Sequence, residues 1–66
     1  YRAVWIRPDQ EKRLQNGNSF RKPDRSQNYD DQEMVRVYDS NGHFAAVYRY
    51  VEKEHEFRIV KMFLQP

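Results

Sequence analysis

The stretch that most constrains this chain is Val35–Val51, "VRVYDSNGHFAAVYRYV". Val35 and Val37 alternate with Arg36 and Tyr38, the cluster Asp39-Ser40-Asn41-Gly42 follows, and a second run of aromatic and β-branched residues extends from Phe44 to Val51. Asn-Gly between two such runs signals a β-hairpin, because a type I′ turn needs positive φ at both central residues. Asn tolerates that conformation and Gly adopts it without steric cost. The pattern predicts two antiparallel strands closed by a type I′ turn at Asn41-Gly42.

The flanks predict what pairs with the hairpin. "YRAVWI" (residues 1–6) has strand composition, with Val4 and Ile6 on one face and Trp5 on the other. Pro8 favours a helix start, and "DQEKRLQ" (Asp9–Gln15) is rich in helix formers, acids first and bases later, which suits the helix dipole. Leu14 is its one good apolar anchor, so two turns should lie against one end of a sheet. Gly17 fits a left-handed C′ cap. "NSFR" around Phe20 is a brief strand, and the remainder of 18–33 is a polar loop whose one candidate for burial is Tyr29. At that length the loop either moves or carries function. "EKEHE" (Glu52–Glu56) is a charged turn, and "FRIVKMFL" (Phe57–Leu64) a third long strand, with Phe57 and Ile59 on one face and Val60 and Met62 on the other. Apolar residues on both faces argue for a small closed barrel. The predicted fold is α+β and mostly β: a small mixed β-barrel with one short helix.

Size sets the scale. A chain of 66 residues is one domain at most, spanning 1–66, and buries only about 60% of its unfolded surface. With 38% hydrophobic, 33% charged and 15% aromatic residues it is polar, yet too aromatic for a disordered chain. The absence of cysteine excludes disulfides and thiolate zinc sites. No apolar run approaches the ~20 residues of a membrane span. The start at Tyr1, already in strand-like sequence, suggests a domain from the C-terminal end of a longer protein.

No catalytic constellation emerges. Glu54-His55-Glu56 offers the ligand types for a metal, but no second nearby His completes a site, and a solvated turn is the simpler reading. Ser19, Ser26 and Ser40 occupy turn-like contexts, Asp30 and Asp31 a polar loop, and two glycines cannot build a phosphate-cradling loop. No cofactor and no metal is expected. The basic residues remain. Arg13, Arg21, Lys22 and Arg25 follow one another around Phe20 and Tyr29, while Arg36, Arg49, Arg58 and Lys61 lie on strands. Cations near flat rings suit RNA phosphates and splayed bases. Long cationic side chains that merely cover a sheet and pair with the ten acids are an equal reading. The net charge of +2 permits either.

"RLQNGNSFR", followed by "MVRVYDSNGHFAAVYRYVEKEHEFRIVKMF", resembles the C-terminal domain of bacterial tRNA pseudouridine synthases of the TruB type. Asn16-Gly17 matches the Asn-Gly after that domain's short helix. Val35, Val37, Tyr38, Gly42 and Phe44 match its "VRVYD-x-G-x-F" element, with two residues, Ser40 and Asn41, between Asp39 and Gly42 where the pattern has one, and Lys61 and Phe63 match its basic ending. Ala46 and Tyr48 stand where glycines are usual, and Val60 about where a proline is common. The resemblance implies a PUA-like, cytoplasmic and monomeric RNA-binding module that lacks the parent enzyme's catalytic aspartate. Its expected partners are the tRNA T-arm or acceptor stem and the catalytic domain of the same polypeptide, with no membrane. By charge and position, the residues expected to touch RNA are Arg13, Arg21, Lys22, Arg58 and Lys61. Two alternatives are a structural or protein-interaction barrel, anchored through Trp5 and Met62, and a single-strand binder of the OB type displaying Tyr38 and Tyr48.

Overall fold

The computed structural model describes residues 1–63. Five strands form one mixed sheet: β1 (Arg2–Trp5), β2 (Phe20–Arg21), β3 (Met34–Tyr38), β4 (Phe44–Val51) and β5 (Glu56–Met62), in the order β1-β3-β4-β5-β2. β1 pairs with β3 in parallel and every other pairing is antiparallel. The sheet curls into a half-barrel, and its terminal strands β1 and β2 do not pair with each other. The predicted mixed, β-dominated architecture with one short helix is present, and the curled half-barrel is consistent with the small mixed β-barrel expected. Leu64 to Pro66 lie outside the described residues.

The hairpin forms as the alternation requires, but its turn differs. Gly42 has φ +84°, whereas Asn41 is not among the residues with positive φ. The Gly42 N–H donates to Asp39 O at 2.9 Å, and the Asp39 N–H to His43 O at 2.9 Å. This is a type I turn closed by a left-handed glycine, a three-residue loop that carries a bulge with it. A separate bulge follows at Ala45, since Val37 faces Ala46 while Tyr38 faces Phe44. Ala45 and Ala46 are consequently both buried.

A bulge in β5 corrects the predicted faces of the last strand. Tyr48 faces Ile59 while Val47 faces Lys61, which leaves Val60 extra. Side-chain parity flips there. Met62 therefore points inward with Phe57 and Ile59, packing on the core, and Val60 is exposed. The apolar content of both faces reflects this bulge and an aromatic outer face.

The inner face holds the core: Val4, Ile6, Val35, Val37, Tyr48, Tyr50 and Phe57 from the long strands, with Leu14 and Phe20 over them. Pro8–Gln10 is a 3₁₀ turn that runs into α1 (Glu11–Gln15), together the two turns expected, and Leu14 is α1's one buried residue. Gly17, at φ +69°, ends it as predicted: the Gly17 N–H donates to Leu14 O at 3.0 Å and the Asn18 N–H to Arg13 O at 2.8 Å, the paired bonds of a Schellman cap. Tyr48, expected at the surface, is fully buried, and its hydroxyl donates to Asn18 O at 3.1 Å.

The loop between β2 and β3 is tied down. The Arg2 guanidinium donates to Glu33 Oε2 at 2.8 Å, to Glu33 Oε1 at 3.1 Å and to Asn28 O at 2.6 Å, and it lies 4.1 Å from the centre of the Tyr29 ring. Tyr29 in turn packs on Tyr50 and Phe57. Among the described residues no helix is long and apolar enough to cross a membrane.

Candidate nucleic-acid interface

Two surfaces collect cations. The first is a cleft of about 380 Å³ lined by Arg7, Gln10, Arg21, Lys22, Arg25 and His55. Gln10 builds it: its Nε2 donates to Arg21 O at 3.0 Å while its Oε1 accepts the Arg7 N–H at 3.1 Å. These bonds fasten the start of the helical segment to β2 and bring Arg7 beside Arg21. Arg7 pairs with Asp9 at 3.2 Å, and Lys22 Nζ donates to Gln27 O at 2.9 Å.

The second surface is the outer face of the sheet, laid out in rows by the register. Trp5 sits beside Tyr38, and Tyr38 beside Phe44. Phe63, held by its N–H to Ala45 O at 2.7 Å, completes the row. The ring centroids are 5.2, 5.7 and 5.1 Å apart from Trp5 to Phe63, and the Trp5 and Tyr38 planes lie within 19° of parallel. Trp5 is 59% exposed, Phe44 41% and Phe63 43%. The next row sets Arg36 and Lys61 on either side of Val47, and the row after it places Arg49 directly opposite Arg58. Arg36 donates to the Tyr38 hydroxyl at 2.8 Å, and Lys61 Nζ lies 5.3 Å from the Phe63 ring centre.

The five residues expected to bind RNA divide between these surfaces. Arg21 and Lys22 meet in the cleft. Arg13, whose Nη1 donates to Ser19 O at 3.4 Å, joins Arg21 at a neighbouring depression bordered by Phe20 and Glu56. Lys61 and Arg58 lie on the outer face. Arg58 is clamped by Glu54 through two bonds of 2.6 and 2.5 Å, which raise its pKa. The rings expected beside the first group are not available to bases, because Phe20 is buried and Tyr29 faces the core. Met62, expected as an interface anchor, also faces inward. Arg36 and Arg49 were among the strand cations the sequence pointed to, though not among the five residues expected to touch RNA, and Phe44 and Phe63 were not expected as members of a surface. Strand parity carries part of that signal, since Trp5 opposes Val4 and Tyr38 opposes Val37; the parallel pairing that joins them does not show in the sequence.

The remaining polar groups serve the fold. Asp39 Oδ1 accepts the N–H groups of His43 at 2.8 Å and Asn41 at 2.9 Å, and these bonds hold its pKa below the usual carboxylate range. Ser26 Oγ donates to Asp24 Oδ1 at 2.6 Å within the loop. His55 lies 4.0 Å from Glu52 in the β4–β5 turn. Among the described residues no group of three or more His, Cys, Asp or Glu side chains could hold a metal ion.

No family model, curated protein or solved structure matches this chain.

The cleft offers cationic donors suited to phosphate oxygens, which position a nucleic acid without reading its sequence. The outer face adds flat rings with cations beside them.

Proposed function

We propose that this chain is an accessory RNA-binding domain of the PUA-like kind. It helps to seat tRNA on an enzyme that isomerises a T-loop uridine to pseudouridine, and carries no catalysis itself. The observation that carries the reading is the convergence of Arg7, Arg21, Lys22 and Arg25 on one cleft, where, among the described residues, Arg7 alone of the four is in an ion pair, with Asp9. The motif resemblance supplies the RNA class. In this reading the cleft follows the backbone of the T-arm or acceptor stem, and Lys61 extends the contact from the outer face.

The test is an NMR titration of the labelled domain with T-arm and acceptor-stem RNA, at low and at physiological salt. Salt-sensitive shifts at Arg7, Arg21, Lys22 and Arg25 are expected. No shifts at low salt would remove the seating role.

Exposed Trp5 and its neighbouring rings favour one second reading, in which the sheet packs on a catalytic domain of the same polypeptide. That contact would bury apolar surface and respond little to salt.

A further inference from the structure

We infer that the outer face of the sheet is a stacking platform for unpaired nucleotides, an inference that rests on the RNA-binding part of the proposed function and names the RNA structure the domain takes. Trp5, Tyr38, Phe44 and Phe63 form a continuous row across β1, β3, β4 and the residue that follows β5, with neighbouring rings in contact. Three of the four are substantially exposed on a chain small enough to need its aromatics inside.

Charge selects the occupant. Among the described residues, no carboxylate lies within ion-pair distance of Arg36, Arg49 or Lys61; the five ion pairs involve Arg2, Arg7, His43, His55 and Arg58. Arg58, the cross-strand partner of Arg49, is held by Glu54, so the charge left without a carboxylate in that row is that of Arg49. Half of the ten acids lie elsewhere, Asp24, Asp30, Asp31 and Glu33 on the β2–β3 loop and Glu52 in the β4–β5 turn, while Glu54 of that turn holds Arg58. An apolar partner face would leave these cations desolvated and unpaired. A second copy of the chain, meeting this one through the same face, would bring like charges together. A polyanion with exposed ring faces satisfies both features. Bases stack on the rings, and phosphates run past Arg36 and Lys61 in the adjacent row. A duplex meets only half of this, because its bases are already stacked on one another and a flat strand row does not enter its grooves.

Trp5 is the only tryptophan, so its fluorescence reports on the platform directly. The 66-residue chain is titrated with a short oligoadenylate single strand, and separately with a fluorescein-labelled T-arm hairpin followed by anisotropy. The expected result is quenching of Trp5 by the single strand. Phe44→Ala should weaken binding by about fivefold to a hundredfold, the range of one lost base–ring contact. Lys61→Gln, which leaves every ring in place, should weaken it mainly at low salt. Hairpin binding with no response of Trp5 to the single strand would overturn the platform and leave the tRNA-seating role standing. Quenching by the single strand without hairpin binding would support the platform and remove the seating role. Trp5 emission that depends on protein concentration alone would show a second copy on this face and overturn the inference.

Discussion

Asp39 and Tyr48 show how single side chains set the conditions under which this fold persists. The Asp39 carboxylate accepts backbone N–H groups from His43 and Asn41, and its pKa is lowered chiefly by the His43 bond. A folded pKa below the unfolded value of roughly 3.9 stabilises the fold above that pH, and the contribution is lost as pH falls through the folded value. Asp39→Asn should therefore lower the melting temperature near neutrality and flatten its decline in acid; thermal melts across the acid range check this. Tyr48 has the opposite sign. Burial pushes its phenol up to about 12 from 10.0, so the neutral form stabilises the fold below pH 10 and the contribution is lost as pH rises toward 12. Tyr48→Phe removes that alkaline loss, and gives up the bond to Asn18 O, worth about 1 kcal/mol. Alkaline melts of the two proteins should converge and then cross.

At the scale of elements, the sequence was most legible where a local rule has a single solution. Gly17 is the clearest instance. A helix-forming run followed by Asn-Gly required a left-handed cap, and both cap bonds are made. Gly17→Ala places a β-carbon 3.8 Å from Met62 Cε, an ordinary contact, so its penalty is conformational and about 1–2 kcal/mol. Chemical denaturation should show that loss with an unchanged m-value. His55 also sits at positive φ, 54°, in the β4–β5 turn. Replacing it with glycine should hold or raise stability, by up to about 1 kcal/mol. The bulges at Ala45 and Val60 were not legible, because one inserted residue leaves composition and local alternation intact while it flips every later side chain. Met62 and Tyr48 were placed on the wrong faces for that reason. The clamp on the β2–β3 loop was equally hidden, since Arg2 meets Glu33 and Asn28 only after β1 has paired with β3. Arg2→Ala should leave the sheet folded and raise amide exchange selectively around Asn28–Glu33, as hydrogen-exchange NMR would register.

For the whole molecule, what matters is how the sheet divides its aromatic residues. Phe20, Tyr48, Tyr50 and Phe57 fill the inner face, with Tyr29 against them, while Trp5, Tyr38, Phe44 and Phe63 line up on the outer one. Cations gather beside the outer row and in the cleft at the β2 edge. Basic strand positions and the aromatic fraction were visible in the chain, but their division between two surfaces depends on strand order β1-β3-β4-β5-β2, which brings the first strand beside the third and sends β2 to the far edge. In the function proposed above, these surfaces bind RNA through its charge. Its most direct test is the affinity of the domain for T-arm RNA measured by anisotropy over a salt series. With three or four phosphates neutralised, log K should fall against log salt with a slope of roughly −3. Arg21→Gln combined with Lys22→Gln should reduce that slope by about one to two. A flat salt profile, or a slope unchanged in the double variant, would contradict the account.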